Sequence, residues 1–309
     1  MRILIVGAGA VGGYFGGQLL NAGLDVTFLV RKAKAERLKK NGLVLKTSEG
    51  KITLPHPKLI LADEIKQHYD LILLSCKAYD LKSAIDSFRP AVGPETMILP
   101  LLNGMSHVNT LLEAFSEHNV LGGLCKIVAT VDEEDAIVNF TAMQSITFGE
   151  RSGNTSERTQ KVLEAFQRAS FQTKLSGNVL QEMWEKWLFL SSLAASTCLM
   201  RAPVGNIVNA PGGTEFMLAM IDEIKAIAIH SGFPPSQECI EQTQKMLTEK
   251  GSSLTASMYR DLIQGSRIEA DHVIGDLLVR AKKAGKSKEA FPLICTTMVQ
   301  LKAYESMKK

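Results

Sequence analysis

Gly7-Ala8-Gly9-Ala10-Val11-Gly12 follows directly on the aliphatic run Arg2-Ile3-Leu4-Ile5-Val6 and opens a largely apolar, glycine-containing stretch that ends near residue 21. The aliphatic run reads as a buried strand and the stretch behind the glycines as a helix. The spacing is G-x-G-x-x-G, and each glycine answers a steric need. Gly7 permits the tight turn, Gly9 lets the backbone approach a pyrophosphate, and Gly12 lets helix and strand pack closely. The helix N-terminus adds N–H groups and a partial positive charge. The motif alone is a weak signal. With a strand before it, a helix after it and a second strand at 25–30, it predicts a dinucleotide site cradled by Gly7, Ala8, Gly9, Ala10, Val11 and Gly12.

Outward from this loop, the first half of the chain alternates. Strands are expected at 25–30, 71–75 and 97–101, a helix at 35–40, and a hairpin at 43–54 turning through Ser48-Glu49-Gly50. Aliphatic runs without polar alternation fit parallel strands buried on both faces. Residues 127–131, 136–141 and 146–148 read as a small antiparallel section. The run Asp132-Glu133-Glu134-Asp135 within it reads as a solvated turn tip rather than a cation site. A helix at 156–169 and a strand at 171–175 close this half. Beyond Gly177, helical spacing takes over, at 179–198, 214–230, 237–248, 267–283 and 293–307. The expected fold class is α/β: an N-terminal Rossmann-type dinucleotide-binding domain over 1–176 and an all-helical C-terminal domain over 177–309.

Composition narrows the function. The chain has 309 residues, 45% hydrophobic and 22% charged, with a net charge of +3. That is globular composition, and the charge is too small to imply nucleic acid or an anionic membrane as partner. Five cysteines show no C-x-x-C spacing, and the histidines form no metal signature, so no metal site is expected. Thiols without a disulfide framework suit a cytoplasmic protein.

Charge at the strand ends points to the cofactor. An NAD site places Asp or Glu after the second strand; here Arg31-Lys32 stand there, which favours the 2′-phosphate of NADP(H). Lys34, Arg37, Lys39 and Lys40 read as a solvated basic helix face. Lys77 and Asn103 follow later strands, where they would face the nicotinamide half. A reductase also needs a proton donor. Lys186 lies among Trp184, Trp187 and Phe189, a setting that can desolvate an ammonium toward general-acid use. From spacing alone, a surface lysine paired with Glu182 is the plainer reading.

These motifs together resemble the ketopantoate reductase (2-dehydropantoate 2-reductase) family over essentially the whole chain. They are Gly7 to Gly16, Arg31, Cys76-Lys77-Ala78, Leu102-Asn103-Gly104-Met105, Ile146-Thr147-Phe148-Gly149-Glu150, Trp184-Glu185-Lys186, Ser257, and Arg267-Ile268-Glu269-Ala270-Asp271. The resemblance implies a cytoplasmic NADPH-dependent enzyme that reduces 2-dehydropantoate to pantoate in coenzyme A biosynthesis. It implies Lys186 as proton donor, Glu269 as a carboxylate of the active site, and Asn103 at substrate or nicotinamide. Lys77 would line the same site and Ser257 would help hold the substrate carboxylate. A homodimer is left open. One departure stands out: the family carries asparagines one and two turns after the lysine, where this chain has Leu190 and Ala194, with Ser191 and Ser192 as neighbouring hydroxyls. Two other readings follow: a reductase of another branched or aromatic 2-oxo acid, and a non-catalytic NADP(H)-responsive binding protein.

Overall fold

The computed structural model of the protein describes residues 1–48 and 50–308. They divide into two compact units. The first comprises Met1–Leu102 and His107–Leu180; the second comprises Asn103–Ser106 and Gln181–Lys309.

In the first unit, β1 (Arg2–Val6), α1 (Ala10–Asn21), β2 (Asp25–Leu29) and α2 (Lys32–Asn41) lead into a hairpin of β3 (Leu43–Thr47) and β4 (Gly50–Leu54). Glu49, placed in the hairpin turn by the sequence, lies outside the described residues. Then come β5 (Lys58–Ile60), β6 (Leu71–Leu74), α3 (Leu81–Phe88), β7 (Met97–Pro100) and α4 (Ser106–Ala114). The unit ends with β8 (Gly122–Lys126), β9 (Ala129–Val131), β10 (Ile137–Asn139), β11 (Ser145–Gly149), α5 (Glu157–Phe166) and β12 (Gln172–Leu175).

Five parallel strands form the central sheet in the order β5-β2-β1-β6-β7. This is a Rossmann half, with its reversal of strand order between β1 and β6. The side-chain period of two divides each strand between two cores. Ile3, Ile5, Val26, Phe28, Leu71 and Leu73 pack with Tyr14, Phe15 and Leu19 of α1. Leu4, Val6, Ile72 and Leu74 pack on the other face with Ile85 and Phe88 of α3 and Leu111 of α4. Burial on both faces is why these strands lack polar alternation.

The section read as antiparallel is two mixed sheets. β10 pairs antiparallel with β9 but parallel with β3; β11 pairs antiparallel with β8 but parallel with β12. Strands β5 and β8 were not expected. β5 has only three residues, and β8 (Gly-Gly-Leu-Cys-Lys) carries two glycines that depress strand propensity.

The second unit is helical: α6 (Val179–Met200, its first two residues in the first unit), α7 (Val204–Asn209), α8 (Gly213–His230), α9 (Gln237–Leu247), α10 (Ser257–Ile263), α11 (Asp276–Lys283) and α12 (Pro292–Ser306). The helix expected over 267–283 begins later, at Ala270, and passes through a π-helical turn, Asp271–Gly275, before α11. Helix α6 is buried along most of its length, including Ser191, Ser192, Ser196 and Thr197. Ser191 and Thr197 donate to the carbonyls of Trp187 (2.6 Å) and Leu193 (2.7 Å), which lets hydroxyls sit inside a helical core. Among the described residues, no helix is long and apolar enough to cross a membrane.

Candidate active site

The glycine loop occupies the carboxyl end of β1, at the reversal of strand order. Gly7 has φ of +97°, and a side chain there would press on the backbone of Ser75 and Cys76. A Cβ on Gly12 would collide with the Gly7 carbonyl and with Ser75 Oγ. Ser75, after β6, donates to the Gly7 carbonyl (2.9 Å) and stands 3.1 Å from the Val6 carbonyl. It braces the loop from below, a role the sequence did not disclose. A Cβ on Gly9, by contrast, would meet nothing within 4 Å. Gly9 is the N-cap of α1, with no side-chain cap and no acidic residue in the first turn. The loop therefore presents first-turn N–H groups to open space, and these features fit a pyrophosphate.

Arg31 is the N-cap of α2, with its side chain 77% exposed. Its Nη2 lies 3.2 Å from Oδ2 of Asp80, which ends the short 3₁₀ turn Ala78–Asp80 after β6. The sequence reading missed this partner, which only the fold brings to Arg31. Lys77 is exposed and precedes the same turn.

One expectation for the charged surface is corrected. Lys34 is not a solvated face residue: it is 17% exposed and 2.7 Å from Asp135, which Arg37 also approaches at 3.3 Å. Lys46 reaches Asp132 at 2.7 Å and Glu134 at 3.0 Å, so three of the four acids in that run are ion-paired. Among the described residues, no cluster of His, Cys, Asp and Glu could hold a metal. Glu150 is bound by Arg158 through Nε (2.7 Å) and Nη2 (2.6 Å) and by Ser156 Oγ (2.6 Å). Burial pushes its carboxyl up, but these bonds outweigh burial and leave it below the usual range. Glu150 thus anchors the start of α5.

In the second unit, Lys186 Nζ donates to Oδ1 of Asn103 at 3.0 Å. Asn103 lies three residues past β7 in the chain, and Lys186 is half-buried on α6. Trp184 and Trp187 pack on each other, Trp184 stacks on Phe233, and the cation lying over both indoles is Arg280, at 5.1 and 5.5 Å. The sequence missed His272, whose ring lies between Ser106 Oγ (Nδ1, 2.6 Å) and the Asn103 carbonyl (Nε2, 2.5 Å). Burial holds the His272 pKa below its ordinary value, against opposing influences from Glu269, the Asn103 carbonyl and Asp276. Glu269, half-buried, precedes the π-helical turn, and its main-chain carbonyl accepts the Val273 N–H at 2.9 Å.

Ser257 is exposed at the start of α10. Leu190 is half-buried, and Ala194 is only 3% exposed. Ser191 and Ser192 are fully buried, and the Ser191 hydroxyl already serves Trp187. The Ser192 hydroxyl is buried with no hydrogen-bond partner among the described residues.

A Rossmann unit with a G-x-G-x-x-G loop at the end of its first strand, followed by a helical unit holding a lysine against an asparagine, is an arrangement suited to a nicotinamide-dependent oxidoreductase. Comparison with known proteins names the family. The ketopantoate reductase PanE/ApbA family matches residues 3–153, and the C-terminal domain of the same family matches residues 178–305. The chain belongs to this family. It is 36% identical over 308 residues to the uncharacterized oxidoreductase YkpB of Bacillus subtilis (strain 168), covering 100% of both chains. It is 25% identical to the 2-dehydropantoate 2-reductase of Aquifex aeolicus (strain VF5), covering 100% of this chain and 99% of that one. The crystal structure of 2-dehydropantoate 2-reductase from Geobacter metallireducens GS-15 superposes with a TM-score of 0.88 at 25% identity, over 98% of this chain and 99% of that one. The ternary structure of D-mandelate dehydrogenase with NADH and anilino(oxo)acetate shares the fold, with a TM-score of 0.88 at 20% identity over 100% and 99% of the two chains.

Proposed function

We propose that this protein is an NADPH-dependent 2-dehydropantoate reductase that forms pantoate, with Lys186 as the proton donor. The observation that carries the reading is the 3.0 Å bond from Lys186 Nζ to Asn103 Oδ1. An ammonium has three N–H donors, and fixing one on a neutral amide orients the group. When bound, the reduced nicotinamide supplies a hydride to the carbonyl carbon. The carbonyl oxygen gains negative charge as the hydride arrives, and Lys186 gives it a proton, so that a ketone becomes a secondary alcohol. Glu269 and Lys77 are the charged groups proposed to shape the same site, and Ser257 to bind the substrate carboxylate.

NADPH rather than NADH is supported by Arg31 at the end of β2, where a ribose-binding carboxylate would stand in an NAD site. A cytoplasmic setting is supported by the cysteines, which are thiols in the structure.

A second substrate reading rests on Leu190. It shares a helix face with Lys186 one turn away, where a hydroxyl-binding amide is absent. An apolar wall there favours an aliphatic 2-oxo acid over the hydroxylated 2-dehydropantoate, since burying a hydroxyl unpaired costs about 1–3 kcal/mol. The test is NADPH oxidation across a panel of 2-oxo acids that includes 2-dehydropantoate and its analogue lacking the hydroxyl. A strong preference for 2-dehydropantoate supports the first reading, and equal or better use of the deoxy analogue supports the second. Cofactor binding without turnover on any member would overturn both in favour of a non-catalytic NADP(H)-binding protein.

A further inference from the structure

We propose that His272 is a positioning residue for Lys186, acting through the Asn103–Ser106 segment. The inference rests on the reading of Lys186 as proton donor. A carbonyl oxygen can only accept, so the 2.5 Å contact to Asn103 requires the proton on Nε2 of the histidine. In the neutral ring Nδ1 is then an acceptor, and it meets the Ser106 hydroxyl at 2.6 Å. One imidazole thus grips both ends of a four-residue segment. The fit is close: Gly104 has φ of +78°, and a Cβ there would lie 3.0–3.3 Å from His272 carbonyl and ring atoms. The same π-helical turn is fixed a second time, because Trp187 Nε1 donates to the Val273 carbonyl at 3.0 Å. Trp187 is the residue after Lys186.

The bonds therefore close a ring: Lys186 to the Asn103 side chain, the Asn103 carbonyl to His272, His272 along the chain to Val273, and Val273 to Trp187. The turn Asp271–Gly275 sets the distance at which lysine and asparagine meet. A π-helical turn is wider than an α-turn, and such turns recur at functional sites. Burial of His272 favours its neutral form, consistent with the tautomer that the bonds require.

The experiment compares wild type, His272→Phe, His272→Gln, Lys186→Ala and the double variant Lys186→Ala/His272→Phe. It measures kcat and KM with NADPH and the best substrate from the 2-oxo acid panel, together with the NADPH dissociation constant. His272→Phe should lower kcat about 10–100-fold, the effect of misplacing a reacting group by about 1 Å, with NADPH affinity unchanged. His272→Gln, which keeps a donor and an acceptor, should recover most of kcat. In the Lys186→Ala background, His272→Phe should cause no further loss, because a group that acts through the lysine has nothing left to act on. Full kcat in His272→Phe, or an equal loss with and without Lys186, would overturn the proposal. Full kcat in Lys186→Ala would instead overturn the proton-donor reading. If His272→Phe does not fold, Ser106→Ala replaces it: a kcat unchanged by removal of the Nδ1 partner then counts against the clamp.

Discussion

The glycine loop of the first unit and the lysine of the second are held in place by opposite means. The loop is positioned by what is missing: Gly7 and Gly12 leave room for backbone to touch backbone, and one hydroxyl, Ser75, braces them from below. Lys186 is positioned by what is present, a succession of polar side chains running through Asn103 and His272. The difference suits the tasks proposed for them. A pyrophosphate is bound by main-chain N–H groups whose charge never changes, so a rigid cradle suffices. A proton donor must hold one geometry while its charge changes, and hydrogen-bonded neighbours are the means of doing so.

Perturbing each region should therefore give different kinetic signatures. Lys186→Ala should lower kcat by roughly 10²–10⁴-fold while NADPH affinity is kept, measured by steady-state assay and cofactor titration. Arg31→Ala should weaken NADPH by about 1.5–3 kcal/mol and leave NADH nearly unchanged, since only NADPH carries the 2′-phosphate. Gly12→Ala should cost about 1–3 kcal/mol of overpacking. It should appear as weaker NADPH binding and lower thermal stability, because the new Cβ meets the Gly7 carbonyl.

The legibility of the two regions differed for the same reason. Backbone-held features leave their mark in sequence: the glycines, the aliphatic strands and the central sheet could all be read from spacing. The fold class followed from the two-sided burial of β1, β6 and β7. Side-chain networks leave no local mark. His272 is 169 positions from Asn103, and only folding joins them. Asp80 escaped because an exposed acid three residues after Lys77 has nothing in its spacing to tie it to Arg31. Arg280, whose guanidinium lies over both Trp184 and Trp187, is likewise 93 or more positions from them and left no local mark. The π-helical turn was read as an unbroken helix because its composition is helical.

Acid should act on the second region before the first. The His272 pKa is lowered in the folded state, so the stability tied to its neutral form is complete above about pH 6.5 and is lost as pH falls toward the folded value. Glu269 and Asp276 face it and limit the loss, and nearby Asp271 is engaged by Lys302. Glu150 has a lowered pKa too, so its stabilisation begins to fade only as pH falls through the ordinary glutamate value of 4.5, below the histidine window. Glu223, raised by burial, shifts stability the opposite way and does so equally in any His272 variant. Thermal melts between pH 7 and pH 5 should fall less for His272→Gln than for wild type, and parallel melts would remove the histidine from the acid response. The smallest effect belongs to Asp80→Ala. An exposed ion pair contributes about 0.2–1 kcal/mol, so releasing Arg31 should tighten NADPH by a few-fold at most and leave NADH unchanged.

The central claim is that a hydride passes from NADPH to a 2-oxo acid on this protein, and isotope transfer tests it most directly. Incubated with NADPH deuterated at both C4 hydrogens and with the 2-oxo acid panel, wild type should yield a 2-hydroxy acid carrying one deuterium on its carbinol carbon, and Lys186→Ala should yield it far more slowly. Formation of an unlabelled 2-hydroxy acid, or NADPH bound with no product from any member of the panel, would contradict the account.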